Sequence, residues 1–168
     1  MTQMQPGFPD DTPVPAERRR AWQAFFEAHA AVVPVLEAEM ETEHGLTLRW
    51  YDVLLHLAAA PGMRLQMHEL SDAVVITKGG LTKLIDRMAD AGLVERASVP
   101  ENRRVTLVKL TPHGRETYRR ARLTHHRGVA QHFLDHLTDD ERTVLEAALE
   151  RVHNAARTVD RPGVSPAS

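Results

Sequence analysis

The chain has 168 residues, 26% charged and 42% hydrophobic, with a formal net charge of −2, the balance of a globular domain large enough for one sizeable core. Cysteine is absent, which excludes disulfides, thiolate nucleophiles, thiol redox sensors and Cys-based zinc sites. Aromatic residues make up 5%, so the core must be mostly aliphatic, which suits packed helices better than a β-sandwich.

In chain order, residues 1–15 carry Pro6, Pro9, Pro13 and Pro15 with almost no apolar periodicity and read as a flexible arm. The start lacks the basic and apolar segments of a signal peptide, and no apolar run approaches the ~20 residues of a membrane span, so a soluble, cytoplasmic protein with no membrane partner is expected. A first helix is predicted over 16–42, with Trp22, Phe25, Phe26, Val33, Leu36 and Met40 near a 3.6-residue period, a kink at Pro34 and a stop at Gly45. Thr47 can cap a second helix, 48–60, with Trp50, Val53, Leu54 and Leu57 inward. Arg64 and Leu65 form a short extended segment, followed by a compact helix over 67–74. Thr77 can cap the next helix, 78–90, whose inward side is Leu81, Leu84, Ile85 and Met88 and whose C-terminal cap is Gly92.

The pattern then changes. Runs 93–97 and 105–110 are rich in β-formers and the polar link 98–104 joins them, which predicts a hairpin with a charged tip. Thr111 and Pro112 start a long helix reaching about residue 137. Thr138 and Glu141 form a capping box before a last helix with Val144, Leu145, Ala148, Leu149 and Val152 on one face. Residues 158–168 read as a flexible tail. The predicted fold class is therefore mainly α with a small β-hairpin wing, its centre, 47–111, being a winged helix-turn-helix lobe.

That centre has the chemistry of a DNA reader. Between Arg64 and Thr111 the net charge is +2, against −4 in the remainder. The major groove admits one α-helix between walls of phosphate. The 78–90 helix offers Lys78, Thr82, Lys83 and Arg87 away from its apolar side, with Thr77 at its start. Gly79 and Gly80 each cost roughly 1 kcal/mol against alanine in a helix, consistent with close approach of DNA to the backbone or with a frayed first turn. Arg103 and Arg104 at the hairpin tip suit a narrow minor groove; the plainer reading is a solvated turn.

The blocks His68-Glu69-Leu70-Ser71-Asp72-Ala73, Lys78 to Met88, Gly92-Leu93-Val94-Glu95-Arg96 and Leu110-Thr111-Pro112-His113-Gly114-Arg115 resemble successive parts of the multiple-antibiotic-resistance regulator (MarR) family, over about 16–157. The resemblance implies a homodimeric transcriptional regulator of the repressor type. Segments 16–46 and 112–157 would be its dimerisation helices, and two lobes would read a pseudo-palindromic operator on double-stranded DNA. Where the family usually has Asp two residues before its wing arginine, this chain has Asn102 before Arg104, so a charge that could brace the wing is lost.

The resemblance also implies release of DNA by a small aromatic or anionic effector. Trp22, Phe26, His29, Trp50, Asp52 and His56 could line its crevice, with core packing the simpler reading for Phe25 and Phe26. The arm together with Trp22, Asp52, Arg87 and Arg103 resembles the urate-responsive branch of the family. A zinc-responsive regulator is the alternative: His132 and His136 stand at i, i+4 in a predicted helix, with His125 and His126 upstream. Pattern reading predicts no resident cofactor or metal and no enzyme, for phosphate-loop, nucleophile-elbow and metalloprotease motifs are all missing. A winged-helix protein-interaction module is the remaining rival, but it should carry apolar residues where this chain has Lys78, Lys83, Arg87, Arg103 and Arg104.

Overall fold

A 29-residue helix, α1 (Ala16–His44), runs unbroken through Pro34 and closes at Gly45, whose φ of 63° gives the left-handed cap that an L side chain adopts with strain. The structure, a computed structural model, describes residues 14–74, 78–99 and 102–158. Thr47 then starts α2 (Leu48–Ala59) by accepting a hydrogen bond from the Trp50 amide, as its sequence position predicts. A 3-10 turn (Pro61–Met63) and β1 (Arg64–Gln66) lead into α3 (Met67–Ala73), where Glu69 accepts from the Gln66 amide.

The next helix, α4 (Lys78–Asp90), coincides with the predicted span. β2 (Val94–Val99) and β3 (Asn102–Leu110) form the hairpin, and β1 pairs with the far edge of β3, giving an antiparallel sheet of order β1-β3-β2. α5 (Pro112–His132), a 3-10 turn (Leu134–His136) and α6 (Asp139–Thr158) complete the order. The predicted succession of two helices, short strand, two helices, hairpin and two helices holds, as does the mainly helical class with a small wing. None of the described helices is long and apolar enough to cross a membrane.

The chain forms two compact units, divided between His125 and His126 within α5. In the first, Met40, Val53, Leu54, Leu57, Leu70, Leu81, Ile85, Met88 and Val108 are almost fully buried. Each contributes about 1.5–3 kcal/mol of burial. Thr111 joins the sheet to α5: its hydroxyl donates to the Gly92 carbonyl at 2.6 Å and accepts from the Gly114 amide at 2.9 Å. In the second unit, the Thr138–Glu141 capping box forms as predicted. Glu141 accepts from the Thr138 amide at 2.9 Å, and the Thr138 hydroxyl accepts from the Glu141 amide. Arg142 donates to the Leu134 carbonyl at 2.9 Å and pairs with Asp139.

Three expectations change. α5 stops at His132 instead of reaching residue 137, because Phe133 leaves helical geometry at φ −138° and ψ −61°. The hairpin strands extend into the segment read as a polar link, to Val99 and from Asn102, with the register shifting between Ser98 and Val99. Phe25 and Phe26 do not pack into this chain's core: they are 44% and 58% exposed, beside Trp22 at 64%. The α1 period holds for Leu36 and Met40, which are buried, but among the described residues nothing buries Trp22, Phe25 or Phe26 in its N-terminal half.

Candidate nucleic-acid interface

The amphipathic pattern of α4 decides what it shows to solvent. Leu81, Ile85 and Met88 are buried and Leu84 packs partly against the same core, so Thr82, Lys83, Asp86 and Arg87 are left exposed. Lys83 and Arg87 are one turn apart on that exposed side, which puts two cations in one row. Gly80 is exposed near the helix start. Lys78 and Gly79 belong to the first turn of α4, but their side chains lie outside the described residues, as does Thr77 entirely. Arg103 and Arg104 lie on β3, again with side chains outside the described set.

Sequence reasoning missed the group that ties this helix to the wing. Arg96, on β2, places its Nη2 atom 2.7 Å from the Asp86 carboxylate and 3.2 Å from the Thr82 carbonyl that accepts from it. One guanidinium thus grips two α4 residues one turn apart. Its signal in the sequence was strand parity: Val94 is buried and Arg96, two residues on, shares its face at the sheet margin. Lys109 and Glu95 add a cross-strand pair at 3.0 Å, directly opposite in the register.

The residues proposed for an effector are not all together. Trp22, Phe25, Phe26 and His29 form a run of ring contacts along exposed α1, with Trp22 and Phe26 centroids 6.2 Å apart. Asp52 and His56 pair with each other at 3.4 Å on α2. Trp50 lines an open cavity of about 340 Å³ bounded by the α1–α2 turn, the α4–β2 turn and α5. On the core side of α2, Tyr51 stacks between Tyr118 and His125, at centroid distances of 5.8 and 4.5 Å. Burial, with the neighbouring Tyr118, pushes the Tyr51 hydroxyl up to about 12 against the opposing pull of Arg122, so it stays neutral.

A second polar cluster ties α1 to α5. Thr124 is buried; its hydroxyl donates to Glu43 at 2.8 Å and lies 2.8 Å from Nε2 of His44. The hydroxyl has one proton, committed to Glu43, so it accepts from His44 and that ring carries its proton on Nε2. The histidine pair read as a metal spacing is corrected: His132 ends α5 whereas His136 sits in the following 3-10 turn, so the two do not share one helical face. Among the described residues no three His, Asp or Glu side chains gather closely enough to hold a metal ion.

Comparison with known proteins gives these features a context. Residues 44–105 match the model of the MarR family. The multiple antibiotic resistance protein MarR of Salmonella typhimurium is 32% identical over 84 residues, 50% of this chain and 58% of that protein. The match thus spans little more than half the length of that curated relative. AbsC, a MarR family transcriptional regulator from Streptomyces coelicolor, superposes with a TM-score of 0.81 at 31% identity, covering 87% of this chain and 98% of AbsC. A further MarR family regulator from the same organism, solved in complex with DNA, gives a TM-score of 0.84 at 26% identity, over 92% of this chain and 98% of the other.

Proposed function

Because this chain belongs to the MarR family of winged-helix transcriptional regulators, we propose that it is a sequence-specific DNA-binding repressor acting as a homodimer. In this reading α4 enters the major groove with Thr82, Lys83 and Arg87 leading, supported by Thr77, Lys78, Gly79 and Gly80. The hairpin brings Arg103 and Arg104 to the adjoining minor groove. The observation that carries the reading is the exposure of Thr82, Lys83 and Arg87 on a helix whose other side is locked into the core. The DNA-bound relative at 26% identity supports the same use of the fold.

Dimerisation rests on exposed apolar side chains. α1 leaves Trp22, Phe25, Phe26 and Val35 uncovered, α5 leaves Leu123, and α6 leaves Val144, Leu149 and Val152. Trp22, Phe25 and Phe26 lie side by side on α1, and a contiguous exposed apolar patch marks an interaction surface. Two lobes related by a two-fold axis read a pseudo-palindrome with half-sites about one helical turn apart. Binding of a small aromatic or anionic ligand releases the operator. The exposed cations of α4 argue against the interaction-module rival.

The test is fluorescence anisotropy on DNA from upstream of the chain's own gene, against a scrambled duplex, at several salt concentrations. Tight binding to the native duplex alone, weakening steeply with salt, supports the reading. Equal weak binding to both duplexes speaks against a sequence-specific regulator of that promoter.

A further inference from the structure

The end of α4 and the start of α5 meet at one residue. Thr111 is the N-cap of α5: its hydroxyl accepts from the Gly114 amide and its carbonyl from the Arg115 amide, each at 2.9 Å. The hydroxyl's single proton faces the Gly92 carbonyl at 2.6 Å and the Leu93 carbonyl at 3.1 Å. The Thr111 amide donates to the Leu93 carbonyl as well, at 3.1 Å. Gly92 and Leu93 are in turn the C-terminal cap of α4. Gly92 takes a φ of 70°, and the two amides donate back to the carbonyls of Ala89 and Met88.

Gly114 closes this joint from the other side. A β-carbon there would overlap the Leu93 carbonyl, so the first turn of α5 rests on backbone atoms of the α4 cap, which cannot swing aside as a flexible side chain does. Further along, α5 is held by side chains: Tyr118 and His125 near Tyr51 of α2, and Thr124 against the end of α1.

We propose that Thr111 is a positioning residue that fixes α4 against α5 and so sets the half-site spacing the protein accepts. The inference rests on the DNA-reading dimer proposed above. In that dimer the path between the two reading helices runs from α4 through this joint to α5, whose Leu123 is exposed, and back through the second copy. Thr82 lies ten residues before Gly92, about 15 Å along the chain at ~1.5 Å per residue. A swing of about 13° at the joint, or about half that in each copy, carries the reading face by ~3.4 Å, one base pair. Each added base pair also turns a half-site by about 34° around the duplex, which the joint does not absorb. A loosened joint therefore lowers the cost of a wrong spacing without abolishing it.

The experiment measures Kd by anisotropy for the inverted repeat that the full chain enriches from random duplexes, and for the same duplex with one base pair inserted or removed between its half-sites. The parent should bind the altered duplexes about tenfold more weakly or worse. Thr111→Val, similar in shape but without the hydroxyl, should cut that penalty to about threefold or less, and Thr111→Ser should keep it. Thr47→Val removes the corresponding cap from α2, so it carries a similar loss of stability and should keep the parent's penalty. Gly114→Ala forces the same contact apart and should lower the penalty too, which covers a Thr111→Val that does not fold.

A penalty unchanged in Thr111→Val overturns the inference, and so does an equal loss in Thr47→Val, which would make the effect one of general loosening. A parent that binds every spacing alike, or no duplex at all, strikes the dimeric DNA-reading proposal instead. Hydrogen exchange then decides the joint by itself: the Gly114 amide should exchange faster in Thr111→Val, and unchanged exchange overturns the clamp.

Discussion

Arg96 holds Asp86 and the Thr82 carbonyl with a single guanidinium nitrogen, at 2.7 and 3.2 Å, so the wing strand sets the attitude of the helix proposed to read DNA. Arg96→Ala should therefore lower operator affinity severalfold while leaving the slope of log affinity against log salt unchanged, because no phosphate contact is lost. The thermal midpoint should move little, since partly exposed ion pairs contribute ~0–1 kcal/mol. Arg96→Lys should recover only part of the affinity, because an ammonium is more strongly hydrated and sits on a flexible stem that must reach both acceptors. Anisotropy over a salt series checks this; a slope reduced by about one would make Arg96 a phosphate contact instead.

Gly114 meets the wing with no room for a side chain. A β-carbon there would sit 1.9 Å from the Leu93 carbonyl oxygen and 2.8 Å from its carbon, both backbone atoms that cannot swing aside. Helix propensity alone would make Gly114→Ala stabilising by about 1 kcal/mol. Overpacking costs ~1–3 kcal/mol, and at this separation it should win. Urea denaturation should show a net loss; a gain in stability would mean that the α5–wing joint is looser than described.

The cap of α6 should be sensitive to acid. The backbone and side-chain hydrogen bonds of Thr138 hold the Glu141 carboxyl below its ordinary range. A folded pKa depressed in this way gives stability that is present above the unfolded value and lost as pH falls through the folded one. Glu141→Gln should therefore be less stable than the parent at neutral pH, and the two should converge in acid. Thermal unfolding followed by circular dichroism measures the difference, and a gap that persists in acid would contradict the assignment.

The exposed apolar residues give a sharp test of self-association. On a free surface Val144→Glu and Val152→Glu would change stability by no more than ~0.5 kcal/mol. If they cover a second copy, each should shift the chain toward monomer and weaken DNA binding together. Size-exclusion chromatography with light scattering reads the mass directly; variants that keep the parent's mass would remove α6 from the interface.

Where local chemistry decides structure, the sequence was legible. Thr47, Gly45, Gly92 and the Thr138–Glu141 box mark helix ends through side-chain and backbone hydrogen bonds that reach only a few residues. The inward residues of α4 followed from its period, and its span from the capping positions Thr77 and Gly92. Tertiary relationships were less visible. Nothing local distinguishes Trp22 and Phe26, exposed on α1, from Leu36 and Met40, buried on the same helix, because the difference is which elements fold back to cover them. The end of α5 at His132 was missed because Phe133 and Leu134 continue the apolar period past the break. Arg96 acquires its meaning only from Thr82 and Asp86 on a different element.

The most direct test of the central claim is selection from a random duplex library with the purified full chain, followed by sequencing of the enriched DNA. The account predicts an inverted repeat whose half-sites lie about one helical turn, ~10 base pairs, apart, and its loss with Lys83→Ala or Arg87→Ala. No enriched motif would contradict sequence-specific reading by α4, and a single half-site without its inverted copy would contradict the two-fold dimer.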